Sequence, residues 1–306
     1  MAEEDFLILI GDRLHPMSTH SPLFKSPEGE ARVLAAYDAA MKLWPIPYEQ
    51  RDLPTRFGST HVIVSGPADA PPLVLLHCAL MTSSIWSPII ANLSRDYRTY
   101  AVDVIGDIGR TVPTNPPETY PDLAQWLLET YRELGIERAR LLGWSFGGFV
   151  ATNFAVHEPQ RVEKLALLAP FATFVKPGPG FLLGLVPLVV ATRATARLFE
   201  RAMCFKGSFE YSEHSDLLYQ RFKNGRPVFK VRPRVFTDEE LRGLTMPTLL
   251  LVGDHELLYN PRAAVERAAQ VLPHGHAEII RNCNHAVVSD QTAWVSARVL
   301  EFLQGE

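Results

Sequence analysis

Seven short apolar runs, set apart by longer stretches with helical spacing, constrain this chain more than any other feature. They lie at His61–Ser65, Leu73–His77, Thr99–Asp103, Arg140–Trp144, Lys164–Leu168, Thr248–Gly253 and Glu278–Arg281, and most are rich in Leu, Val and Ile. A strand that is apolar at nearly every position is buried on both faces, and helices flanking a parallel sheet are what bury it. Helical periodicity falls between the runs, at Asp122–Leu134, Gly147–His157, Arg262–Val271 and Thr292–Leu303. Asn260-Pro261 sets a cap residue and a first-turn proline ahead of the third of these. The expected fold class is α/β, a mostly parallel sheet with helices on both faces.

The rhythm breaks between about Phe171 and Val235, where Pro177-Gly-Pro-Gly180 leads into helical segments. This stretch is expected to be an inserted helical cap, and Thr237, three residues before Glu240, has the spacing of a capping box where the core resumes. The first residues are polar and turn-rich, followed by a helical pattern over Ala31–Trp44. The predicted organisation is an N-terminal arm at 1–30, a core at 31–170, a cap at 171–236 and the rest of the core at 237–306, which suits 306 residues. Six basic residues between Arg221 and Arg234, with no acidic one, read as a solvated cap surface.

Composition removes several functions. With 30 Lys+Arg against 34 Asp+Glu there is no global positive field to gather nucleic acid or anionic lipid. The most apolar segment, Phe181–Ala191, is broken by Gly184 and Pro187 and is about half the ~20 residues a spanning helix needs. Neither a nucleic acid nor a membrane is an expected partner, and the acidic start carries no export signal. Cys78, Cys204 and Cys283 are widely spaced and odd in number, which fits a reducing, cytoplasmic setting without a zinc site. His274 and His276, read as part of a turn, lack a third ligand at suitable spacing, so no metal is expected.

The chemistry is expected around Gly143-Trp-Ser145-Phe-Gly147, which falls between a strand and a helix. A serine on such a turn is presented at the carboxyl end of the sheet, and small residues two before and two after avoid clashes in the strained backbone. Its hydroxyl needs a base, and the base needs an orienting acid. Both lie just past later strands: Glu256, with Asp254 as the alternative, after Thr248–Gly253, and His285 after Glu278–Arg281. Ser145, Glu256 and His285 are the candidate catalytic residues, in serine, acid, histidine order. Backbone amides of Phe146 and of Ala79, or else Leu80, are expected to hold an oxyanion, with His77 bracing their loop. Phe171, Phe174 and Phe181 are the candidate substrate-binding residues.

These residues resemble the α/β-hydrolase superfamily. Trp44-Pro45, Thr55-Arg-Phe-Gly58, Ala70-Pro-Pro-Leu-Val-Leu-Leu-His77, Gly106-Asp107, Val235-Phe-Thr-Asp-Glu-Glu-Leu241 and Gly253-Asp-His-Glu256 resemble bacterial carboxylesterases of the naproxen-esterase type, from about residue 36 onward. The resemblance implies an esterase without cofactor, acting on a small-molecule ester through a Ser-His-Glu triad. Its acid, three residues after the strand-ending glycine, corresponds to Glu256. Two positions depart from the pattern: Cys78 and Asn284 each stand where a glycine is usual, and Asn284 is expected to tolerate a left-handed backbone there. Other readings are C–C bond hydrolysis, lactone hydrolysis, perhydrolysis or a silent ligand-binding member. Oligomeric state is open, with a homodimer among the options.

Overall fold

The computed structural model describes residues 21–182, 190–207 and 212–305. Most of the expected arm and parts of the expected cap therefore lie outside the described residues. In chain order the first half contains α1 (Pro27–Met41), β1 (Tyr48–Thr55), β2 (Gly58–Ser65), β3 (Pro72–Leu76), α2 (Ser87–Asp96), β4 (Arg98–Val102), β5 (Val112–Pro113), α3 (Tyr120–Glu133), β6 (Ala139–Trp144) and α4 (Phe146–His157). The second half contains β7 (Val162–Leu168), α5 (Arg193–Met203), α6 (Ser212–Asn224), α7 (Asp238–Arg242), β8 (Thr248–Gly253), α8 (Pro261–Val271), β9 (Gly275–Ile280), α9 (Val287–Asp290) and α10 (Thr292–Gln304).

Among the described residues the strands form one sheet in the order β1-β2-β4-β3-β6-β7-β8-β9, with β5 paired to β2. Pairing is antiparallel from β1 through β4 and parallel from β4 to β9. The central strands explain the apolar runs: β8 is buried at every position and β6 at every position but Arg140. The helix starts follow from local chemistry. Asn260 accepts from the Ala263 amide at the head of α8, and Thr237 and Glu240 form a reciprocal capping box at α7.

Several expectations are corrected. Helix α1 starts at Pro27, where the Ser26 hydroxyl accepts from Gly29, and stops at Met41; Trp44 lies beyond it and donates to the Ser65 hydroxyl at 3.0 Å. The described end of the expected arm is packed on the fold: Leu23 and Phe24 are buried and Phe24 bridges to Gly225. Strand β1 carried no apolar signal because it is an edge strand with mostly exposed side chains. Strand β9 begins at Gly275, so His276 lies in the sheet opposite Leu249 rather than in a turn.

Candidate active site

Ser145 is the single residue between β6 and α4. Its backbone sits at φ 53°, ψ −114°, a conformation that costs about 1–3 kcal/mol and needs support from its surroundings. That support is visible. Its N–H donates to the Leu168 carbonyl of β7 at 2.9 Å, and its carbonyl accepts from Phe149 and Phe171 at 3.1 and 3.0 Å. The turn closes only around glycines: a Cβ on Gly147 would lie 2.0 Å from the Leu76 carbonyl oxygen, and one on Gly143 would lie 2.4 Å from that of Gly147.

His285 Nε2 lies 2.7 Å from Ser145 Oγ, and its Nδ1 lies 2.8 Å from Glu256 Oε2. A carboxylate only accepts, so Nδ1 carries the hydrogen and Nε2 is left as an acceptor for the serine hydroxyl. Glu256 Oε1 is fixed by the Leu258 amide at 2.8 Å, and Trp144 Nε1 holds the His285 carbonyl at 3.1 Å. All three side chains belong to buried residues. Asp254 does not reach His285: its Oδ1 accepts from His255 Nδ1 in its own loop and from the Cys283 amide in the histidine loop. Burial would raise the Asp254 carboxyl, but these bonds outweigh it and hold the group below the usual carboxylate range.

The loop after β3 brings His77, Cys78, Ala79 and Leu80 to the same place. His77 Nδ1 donates to the Cys78 carbonyl at 2.8 Å while its Nε2 accepts from the Val104 amide at 2.9 Å, so the ring ties this loop to the one after β4. The left-handed residue here is Leu80, at φ 65°, and its amide is taken by Asp107 Oδ2 at 3.0 Å. Among the described residues the amides of Ala79 and Phe146 donate to no protein acceptor. Burial, then the Asp107 charge, push the Cys78 thiol up to about 12, so it is a neutral side chain in the wall.

Asp107 is in turn gripped by Arg221 of α6, an ion pair with both side chains withdrawn from solvent. The expectation of a solvated basic surface holds for Lys223, Arg226, Lys230 and Arg232, which are exposed, and fails for Arg221. Arg221 is buried, Lys230 pairs with Glu118, and Arg234 makes two bonds to Glu240. A charge in the interior needs a partner of opposite sign, and the partner was 114 residues away in sequence.

Asn284 does not adopt the left-handed backbone; the positive φ, 52°, belongs to Asn282. Asn284 acts through its amide instead. Its Oδ1 accepts from Leu257 and His285 at 3.1 and 2.8 Å, and its Nδ2 donates to the Ala202 carbonyl of α5 at 2.8 Å. Asp290 completes the clasp, accepting from the Asn284 amide at 2.8 Å and from Phe205, just past α5, at 2.9 Å. The histidine loop and the end of α5 are thus one hydrogen-bonded unit, also joined by Ala286 N–H to the Met203 carbonyl at 2.9 Å.

Ser145, His285, Phe146 and Ala79 open onto a cavity of about 310 Å³. Phe171 and Phe181 line it with ring centroids 5.0 Å apart. Phe174 does not. It is buried at 2% exposure outside the lining, and its carbonyl receives Arg267 Nη1. Sequence reasoning missed Phe199, Glu200, Met203, Leu218 and Phe229, which are among the other residues of the wall. The inward face of α5 (Ala196, Glu200, Met203) has i, i+4, i+7 spacing, a signal that could have pointed to two of them. Among the described residues, no group of three or more His, Cys, Asp or Glu is arranged to hold a metal ion, and no helix is long and apolar enough to cross a membrane.

A mostly parallel sheet that presents a serine on the turn between a central strand and its helix defines the α/β-hydrolase class of fold. The chain belongs to the alpha/beta hydrolase family, whose model matches residues 73–298. It is 39% identical over 295 residues to the uncharacterized carboxylesterase nap of Bacillus subtilis, covering 95% of this chain and 98% of that relative. It is 38% identical to carboxylesterase YbfK of the same organism over 94% of this chain and 99% of that one. The crystal structure of naproxen esterase from Bacillus subtilis superposes with a TM-score of 0.87 at 37% identity, covering 92% of this chain and all of that one (100%).

Proposed function

We propose that this chain is a cofactor-independent serine hydrolase that cleaves small-molecule carboxylic esters through a covalent acyl-enzyme. The observation that carries the reading is the hydrogen-bonded line from Ser145 through His285 to Glu256, with contacts of 2.7 and 2.8 Å at the wall of the cavity. The carboxylesterase names of the two Bacillus relatives support the choice of bond.

In this cycle Ser145 Oγ attacks the ester carbonyl carbon as its proton passes to His285 Nε2, and Glu256 keeps Nδ1 protonated and balances the imidazolium. The carbonyl oxygen, now an oxyanion, accepts from the Phe146 and Ala79 amides, whose lack of acceptors among the described residues supports that role. Collapse breaks the bond to the alkoxy oxygen, which leaves as the alcohol with the Nε2 proton. Water, deprotonated by the same nitrogen, then releases the acid and restores Ser145. Phe171 and Phe181 flank the bound acyl or aromatic group, and residues 171–236 act as a cap over it. A cytoplasmic setting belongs to the same reading and is supported by three unpaired, buried cysteines.

The test is turnover of a short-chain p-nitrophenyl ester, with intact-mass detection of a serine-directed phosphonate adduct. Ser145→Ala is expected to lose the adduct and at least about a thousandfold in kcat while remaining folded. Full activity in that variant would overturn the proposal.

A further inference from the structure

Helix α5 turns Ala196, Glu200 and Met203 inward, so the face that meets the cavity carries a carboxyl where packing alone calls for an apolar side chain. Glu200 is 7% exposed. Its Oε2 accepts from the Ser215 hydroxyl at 2.7 Å, and its Oε1 is buried without a partner among the described residues. Of the side chains that share the wall, Phe199, Met203, Leu218 and Phe229 have no hydrogen to donate, and the polar ones, Arg232 and Ser289 among them, make no hydrogen bond to Oε1. A buried polar atom left unpaired costs about 1–3 kcal/mol, and a leucine at this position would avoid that cost. The terminal torsion of a glutamate is broad, so Oε1 can turn toward the cavity without leaving a rotamer well. Burial pushes the carboxyl up to about 7, against the Ser215 bond, so near neutrality the group exists in both protonation states.

We propose that Glu200 is the polar anchor of this cavity and selects carboxylic esters that carry a hydrogen-bond donor, a hydroxyl or ammonium group, on the portion of the molecule resting against α5. The inference rests on the ester-hydrolase reading above and deepens it. A site that pairs a buried oxygen with a substrate donor discriminates strongly against the analogue lacking the donor, because that analogue leaves the oxygen unpaired in the bound state. The aromatic side chains at Phe171, Phe181, Phe199 and Phe229 suit an aryl body between the ester and the donor.

Matched substrates test this. On the acyl side, p-nitrophenyl phenylacetate is compared with its 4-(hydroxymethyl) and 4-(aminomethyl) derivatives, whose rigid rings cannot cyclise onto the ester. On the alcohol side, 4-methylphenyl butyrate is compared with 4-(hydroxymethyl)phenyl and 4-(aminomethyl)phenyl butyrate. In the wild type at least one donor-bearing ester is expected to exceed its parent by about tenfold or more in kcat/KM. In Glu200→Leu that ratio is expected to fall to about one, and in Glu200→Gln, which keeps a carbonyl acceptor, to an intermediate value. Parent and derivative are measured on the same protein, so the ratio is unaffected by a loss of folded enzyme. Hydrolysis of both parent esters with no preference in either series, or a preference that survives in Glu200→Leu, overturns the inference. If wild type hydrolyses none of the esters, the ester reading itself fails.

Discussion

At the level of single residues, the contacts around the turn and its acid separate groups that sequence order treats alike. Asp254 and Glu256 both follow β8, yet only Glu256 reaches the His285 ring, and Asp254 is spent on His255 and on the Cys283 amide. Glu256→Gln is therefore expected to lower kcat by about three to four powers of ten, since the carboxamide can neither hold the imidazole tautomer nor balance its charge. Asp254→Asn, which leaves His285 untouched, is expected to stay within about tenfold of wild type; kcat for both, measured side by side, checks the assignment. Gly147→Ala would place a methyl 2.0 Å from the Leu76 carbonyl oxygen, and backbone rather than a flexible side chain is what it meets. The expected loss is at least about 3 kcal/mol in urea unfolding, or failure to accumulate folded protein. The places of Ser145, Glu256 and His285 were legible because each lies within a few residues of the end of an apolar run. The bonds of Asn284 were not, since a glycine-like backbone was the only role its position suggested, and its actual partners come from α5 and from the acid loop.

At the level of elements, the end of α5 and the histidine loop are held together through Asp290 and Asn284. Asp290 accepts two backbone amides, and bonds to a charged acceptor are worth about 1.5–3 kcal/mol each. Asp290→Ala is expected to lower kcat about tenfold or more by loosening His285, with a smaller change in KM, and Asp290→Asn, which retains one acceptor oxygen, to recover part of the loss. Equal changes in kcat and KM for Asp290→Ala would point to a collapsed cavity instead. The core strands β3, β6, β7 and β8 could be read from sequence because burial on both faces leaves a continuous apolar signature. Strand β1 and the two-residue β5 could not, because pairing alone defines them. The early start of α1 was hidden because its first turn, Pro27-Glu-Gly-Glu30, is set by the Ser26 cap and not by periodicity.

For the whole molecule, two groups buried in the helices of the expected cap oppose each other in acid. His214 is fully withdrawn from solvent, and burial pushes it down to about 4 from 6.5, against its bond to the Ser84 carbonyl. Its contribution to stability is complete above about pH 6.5 and is lost as pH falls toward 4, because the unfolded chain binds the proton first. Glu200 is raised from 4.5 to about 7, so its contribution is complete below about pH 4.5 and is lost as pH rises toward 7. The two slopes offset. Relative to wild type, Glu200→Gln is expected to lose stability more steeply on acidification from pH 6.5 to 4, and His214→Gln less steeply, read as urea midpoints across that range. The ion pair between Arg221 and Asp107 has a different kind of consequence, one of timing. Asp107 fixes the Leu80 amide, and so the loop that carries Ala79, and is itself held by Arg221 of α6, a helix that packs on α1 from far along the chain. Contacts so distant in sequence close late. During refolding from urea, circular dichroism from the sheet and helices is therefore expected to recover before ester turnover, and Arg221→Met, which cannot grip Asp107, to lengthen or abolish the return of activity while the spectral phase stays the same.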